Sequence, residues 1–346
     1  MAAGVALGTS AAAKRLGKQT VQFQNPPAII ATGTVVGPVE GKGPLGHLFD
    51  HVEKDELLGQ KSFERAEQMM VQNAAYTALN KAGLTPQDMD YLLSGDLLNQ
   101  IITSSFSALA LGVPVLGIYG ACATSTEGLS LGAMLLDGGF ANYVLVATAS
   151  HNRTAERQYR YPNEYGFQRK PHAQRTATAA GAAILARNGE GPRVTTATLG
   201  KVVDRGIKDP YNVGAAMAPA AAATIMTHLQ DTGRRPQDYD LIATGDLALY
   251  GHRLLVELGR TEGGIDLEPV LDDCGLMLYG QDQQVGAGAS GAGCSAAVTF
   301  ASILKDLRDG RFKRVLVAAT GALHSPCSFQ QGEYIPTICH AVSLEV

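Results

Sequence analysis

Cys122 stands directly after Gly120-Ala121, where an apolar run ends and a helical pattern begins. A cysteine at the first turn of a helix lies in the positive end of the helix dipole, beside backbone N–H groups that have no intrahelical partner. Its thiolate is favoured there and an oxyanion can be held, which is the arrangement of an acyl-accepting nucleophile. The plainer alternative is a small buried residue, because free cysteine is among the most buried residue types. Cys294, in an equivalent setting, reads as that plainer case. His151 and His324 each follow an apolar run of strand character, and strand ends of α/β sheets are where ligands gather. The alternative is that each caps a loop. Asp96 and Asp246 each follow a glycine at a strand end, where an acid either satisfies backbone N–H groups in a tight turn or faces a ligand. Asn99 and Gln100 come within one turn of Asp96 and add amides to that side. Arg153, Arg157 and Arg160 are spaced by four and three, so on a helix they share one face, either solvated or presented as forks for carboxylates. Nothing in the spacing of Cys, His, Asp and Glu resembles a metal cage.

These residues need elements to position them, and the chain describes its elements twice. The pattern from Cys122 through Asp137-Gly138-Gly139-Phe140 to the run 144–148 returns 172 residues later, at Cys294, Asp309-Gly310-Arg311-Phe312 and 316–320. Pro86-Gln87-Asp88 through Gly95-Asp96-Leu97 returns 150 residues later as Pro236-Gln237-Asp238 through Gly245-Asp246-Leu247. Internal repeats govern architecture, so this is a duplicated α/β protein. Apolar runs predict strands at 28–36, 91–94, 113–119, 143–148, 194–199, 241–244, 285–288 and 315–320. Helical spacing predicts helices at 63–81, 124–136, 215–230 and 296–307. Strands alternating with helices imply parallel sheets covered on both faces. The repeated helices 124–136 and 296–307, rich in Ala, Gly, Ser and Leu, suit the middle. Residues 150–192 have no visible counterpart in the second half and read as an elaborated loop over the site.

The chain has 346 residues, 45% apolar and 17% charged, an ordinary composition for a soluble globular protein. Net charge is −4 and the basic residues form no run, which argues against nucleic acid as a partner. No stretch approaches the roughly 18 apolar residues of a spanning helix. Residues 1–16 read as a flexible N-terminal extension, with Lys14 and Arg15 in the wrong order for a secretory signal. Residues 17–190 and 191–346 read as the two halves. Five cysteines without a CxxC pair indicate reduced thiols in a cytosol-like compartment.

The duplicated halves, the cysteine after Gly120-Ala121 and the glycine-rich run Val285-Gly286-Ala287-Gly288-Ala289-Ser290-Gly291-Ala292-Gly293 resemble the thiolase fold of thiolases and ketoacyl synthases. The likeness narrows to the stage V sporulation protein AD family of spore-forming bacteria. It rests on Gly43-Pro44-Leu45-Gly46-His47-Leu48-Phe49-Asp50, Gly95-Asp96-Leu97-Leu98-Asn99-Gln100, Ser150-His151-Asn152, Met217-Ala218-Pro219, Asp282-Gln283-Gln284-Val285 and Ile335-Pro336-Thr337. The resemblance implies a thiolase-like fold of two duplicated βαβαβ-type halves, with parallel-rich mixed sheets in five α/β/α/β/α layers. It implies a non-enzymatic protein that binds dipicolinic acid, pyridine-2,6-dicarboxylate, and helps move it into the developing spore with SpoVA membrane proteins. It further implies a homodimer in the forespore, peripherally associated with the spore inner membrane, with no cofactor beyond calcium carried by the ligand as a chelate.

Condensing enzymes of this fold pair their cysteine with His and a second His or Asn from the second half. Where a ketoacyl synthase would place the first His, this chain has Gly245-Asp246; where a thiolase would place its His, it has Val285 or a near neighbour. Loss of such a group costs about 10²- to 10⁴-fold in rate. The ligand-binding candidates are therefore Cys122, Asp96, Asn99, Gln100, His151, Arg160, Asp246, His324 and His340, the last on the final predicted strand near where the family closes its pocket. The alternative is an acyltransferase or condensing enzyme that uses Cys122 with His151 or His340 as base.

Overall fold

The structure, a computed structural model, describes residues 14–159 and 170–346. Residues 1–13 of the expected extension, and Arg160, lie outside the described residues.

The first half supplies strands β1 (Thr20–Gln22), β2 (Ala28–Val36), β3 (His51–Val52), β4 (Tyr91–Gly95), β5 (Val115–Gly117), β6 (Tyr143–Ser150), β7 (Arg175–Thr176) and β8 (Ala179–Ala186). Its helices are α1 (Phe63–Ala82), α2 (Ile102–Leu111), α3 (Thr124–Asp137) and α4 (Asn152–Tyr159). The second half supplies β9 (Arg193–Thr198), β10 (Leu241–Thr244), β11 (Leu271–Asp273), β12 (Ala289–Ser290), β13 (Arg314–Ala322) and β14 (Thr337–Glu345). Its helices are α5 (Val213–Thr232), α6 (Ala248–Thr261), α7 (Cys274–Met277), α8 (Ala292–Val298), α9 (Leu304–Arg308) and α10 (Pro326–Gln330), with a π-helical stretch at Thr299–Ile303 joining α8 to α9.

The duplication is visible in strand order. One half runs β5-β4-β6-β8-β2 and the other β11-β10-β13-β14-β9, and the two meet where Ala28 pairs with Arg193. The outer three strands of each half are parallel, whereas β8 and β14 run antiparallel to both neighbours. The sheets are thus mixed and rich in parallel pairs, as the resemblance implies.

Helices α3 and α8 lie between the two sheets, α1 and α2 cover the outer face of the first, and α5 and α6 cover that of the second. Gly293 makes the central layer possible, because a Cβ there would meet the Ala179 carbonyl at 2.0 Å. Two further expectations change. Residues 179–186 are no loop: the run Ala-Ala-Gly-Ala-Ala-Ile-Leu-Ala is the fully buried strand β8, paired with β2 and β6. Residues 285–288 are no strand, because Gly286 at φ +76° and Gly288 at φ +130° turn the chain there.

Candidate functional site

The cysteine sits on a tight elbow. Ala121 takes a left-handed φ of +50°, uncommon for a residue with a Cβ, and lifts Cys122 to the head of α3. The close approach of β13 at Gly321, where a Cβ would meet the Gly120 carbonyl at 2.0 Å, fixes the elbow from behind. Some helix-end groups are already used: the Thr124 hydroxyl donates to Ala121 O at 2.7 Å and accepts from Gly120 N, and Ala123 N–H donates to Gly120 O. Cys122 is partly exposed, whereas its repeat mate Cys294 is fully buried with its thiol directed at Gly245 O, 3.6 Å away.

The second half places Asp246 against the cysteine. Its fully buried carboxyl accepts a hydrogen bond from the Cys122 thiol, from Gly291 N–H at 2.9 Å and from the Thr320 hydroxyl at 3.1 Å. Burial pushes the pKa of Asp246 up to about 7, against those hydrogen bonds. Its repeat mate does something else. Asp96 accepts from Leu98 N, Ser104 N and the Ser104 hydroxyl, and so holds the start of α2. At the corresponding place in the second half that duty falls to Asp273, which accepts from Leu247 N at 2.8 Å and Ala248 N at 2.9 Å. Asp273 relieves Asp246 of the turn, and Asp246 is left to face Cys122. Asp273 carried no signal in the repeat pattern.

Two spaces adjoin the elbow. An inner chamber of about 40 Å³ is bounded by Cys122, Ala155, Thr176, Met217, Ser290 and Gly291. An outer vestibule of about 660 Å³ opens beyond it, between Asn99–Ile101, Gly117–Tyr119 and Leu323–Ser328. Tyr119, Tyr159 and His324 belong to both. Asn99, Gln100, His324 and Cys122 are therefore brought together around these spaces.

Other candidates are placed elsewhere. His151 is buried behind the site; its Nε2–H donates to Glu56 O at 2.7 Å, Nδ1 accepts from Arg153 N–H, and Phe63 packs on the ring. Burial lowers its pKa, so it is a neutral structural histidine. His340 accepts from Gly200 N–H at 3.2 Å, and burial pushes its pKa down to about 4. Neither lines either space. Arg153 and Arg157 do share a face of α4, but that face pairs with Glu56 and Glu64. Tyr119 and Tyr159, which the sequence reading passed over, form the wall between the spaces.

A family model described as stage V sporulation protein AD matches residues 17–345. The stage V sporulation protein AD of Bacillus subtilis (strain 168) is 48% identical over 332 residues, covering 96% of this chain and 98% of that one. The chain belongs to the stage V sporulation protein AD family. It is accordingly a sporulation protein. Among solved structures, 3-oxoacyl-[acyl-carrier-protein] synthase III of Aquifex aeolicus VF5 matches with a TM-score of 0.57 at 17% identity, covering 92% of this chain and all of that one. A variant of OleA from Xanthomonas campestris matches with a TM-score of 0.63 at 16% identity, covering 94% and 98%. At such identities the likeness concerns the fold, which is thiolase-like in this family member too. Among the described residues no helix is long and apolar enough to cross a membrane.

Proposed function

We propose that this chain is a non-enzymatic binding protein for dipicolinic acid, acting with SpoVA membrane proteins at the forespore inner membrane. The observation that carries the reading is the contact between the Cys122 thiol and the buried carboxyl of Asp246. A condensing site needs a base able to take a proton and donors for a developing enolate or oxyanion. Here the group against the thiol is an acid, in place of the His that condensing enzymes of this fold pair with their cysteine. The bases weighed for an acyltransferase, His151 and His340, are neutral and hydrogen-bonded to backbone away from both spaces. Asn99, Gln100, Tyr119, Tyr159 and His324 instead surround a space of ordinary ligand size with hydrogen-bonding groups and aromatic faces.

Among the described residues lining the two spaces there is no Lys or Arg. A bare dianion is poorly matched by such a lining, whereas a one-to-one calcium chelate of a dicarboxylate carries no net charge. Calorimetry should find dipicolinic acid bound by wild-type protein, more tightly with calcium present, with Cys294→Ala near neutral and Cys122→Trp blocking binding on an intact fold. Equal affinity for wild type and Cys122→Trp places the ligand elsewhere. Incubation with acetyl- and acetoacetyl-thioesters should yield no product above a Cys122→Ala control; turnover that this substitution abolishes overturns the binding-only reading.

A further inference from the structure

The inner chamber is too small for the ligand just proposed. At about 40 Å³ it has room for two to four waters, at about 10–15 Å³ each. An aromatic ring needs about 150 Å³, the volume of an engineered cavity that admits benzene. The vestibule is large enough, but between it and Cys122 stand Tyr119 and Tyr159, whose hydroxyl oxygens are 3.3 Å apart. Tyr159 O–H donates to Leu97 O at 2.5 Å, so the hydrogen between the two phenols comes from Tyr119. His324 packs on the Tyr159 ring with centroids 5.1 Å apart. Gln158 adds hydrogen bonds to Leu97 O and to Asn99 Oδ1, so the end of α4 is fastened to the 97–99 turn by side chains alone. Directly beyond that turn, Gln100 at φ +57° and Ile101 at φ +48° are held in left-handed backbone, which is strained for a β-branched residue. Strain of this kind gathers at switch regions.

We infer that Tyr119 and Tyr159 form a gate, closed here, whose opening joins the vestibule to the chamber and admits a planar aromatic acid to Cys122. The inference rests on the binding reading only for the identity of what passes; the gate itself can be read without that ligand. The probe is iodoacetamide, with alkylation followed peptide by peptide by mass spectrometry. Exposed Cys327 serves as the reference within each sample and buried Cys294 as the negative control. In wild type, Cys122 should react at least about tenfold more slowly than Cys327. Tyr159→Phe removes two hydrogen bonds and keeps the ring, so it should speed Cys122 relative to Cys327 by about tenfold, and Tyr119→Phe, which loses one, by about threefold. Melting temperatures near wild type show that the latch, and not the fold, has been released. Cys122 as reactive as Cys327 in wild type, or a ratio unmoved by both substitutions, overturns the gate. A second arm adds dipicolinic acid. Protection of Cys122 in all three proteins places that acid inside the gate. Absence of protection, with calorimetry showing binding, places it in the vestibule and overturns its passage; absence of binding refutes the ligand while the first arm still decides the gate.

Discussion

Asp246 is an acid kept from water, and its titration has a readable consequence for stability. Its folded pKa is about 7, against roughly 3.9 for an unfolded aspartate. Between those values the native state holds a proton that the unfolded state has lost, so stability falls as pH rises through that window. The contribution is complete below about pH 4 and gone above about pH 7. Asp246→Asn removes the titration; its single amide oxygen accepts from Gly291 N–H while its NH2 donates to the Thr320 hydroxyl. Urea midpoints at pH 5, 6.5 and 8 should therefore decline more steeply for wild type than for Asp246→Asn. Glu127, also raised to about 6 by burial, adds slope of the same sign to both proteins, so the difference between them isolates Asp246. Parallel declines would mean that Asp246 is ionised throughout. The repeat made this residue visible, but it could not show that Asp273 takes over the turn and leaves Asp246 to the cysteine.

At the scale of elements, β5 ends the sheet with no further strand beyond it among the described residues. Its Val115 and Leu116 are 46% and 45% exposed, and α2 beside it shows Ile102 at 40%, Phe106 at 49% and Leu109 at 76%. Natural proteins blunt exposed strand edges with charge, proline or a covering element; this edge is apolar and bare, which suits pairing with a second copy across a twofold axis. Leu116→Lys should convert the expected homodimer to monomer in light scattering with the circular dichroism spectrum unchanged; a dimer that survives it must use another face. How far elements were legible follows from composition. Strands β2 and β10 coincide with the predicted spans 28–36 and 241–244, because β-branched residues fill them and turn residues bound them. Strand β8 was missed because alanine and glycine carry little strand preference, and burial between β2 and β6 alone makes it a strand. Helix α8 starts at Ala292, four residues before the predicted span, because its glycines are there for close packing rather than to break the helix. The gate escaped notice because the segment around Tyr159 was read for its arginines, of which Arg153 and Arg157 pair with Glu56 and Glu64.

On the scale of the whole molecule, the two halves share one interior. Strands from both enter a continuous sheet, and the buried cluster around α3 and α8 draws on Leu129 and Val146 from one half and Phe300 and Val317 from the other. Polar contacts cross the same layer: Ser125 and Ser295 hydroxyls meet at 2.9 Å, and Ser295 also donates to Cys122 O at 3.3 Å. A chain built this way cannot lose one half and keep the other's core covered, so unfolding should be a single cooperative transition despite the duplication. The tightest point in the layer is Gly293, with the Ala179 carbonyl and the Ser150 amide where a side chain would go. Both are backbone atoms of paired strands and cannot swing aside. Gly293→Ala should cost about 3 kcal/mol, the upper range for forcing a methyl into a packed interior. In thermal scans the far- and near-ultraviolet signals should move down together, because α8 separates the sheets and both rest on it. Two resolved transitions in wild type, or a Gly293→Ala protein in which one half melts early and the other stays, would show that the shared layer does not bind the halves into one folding unit.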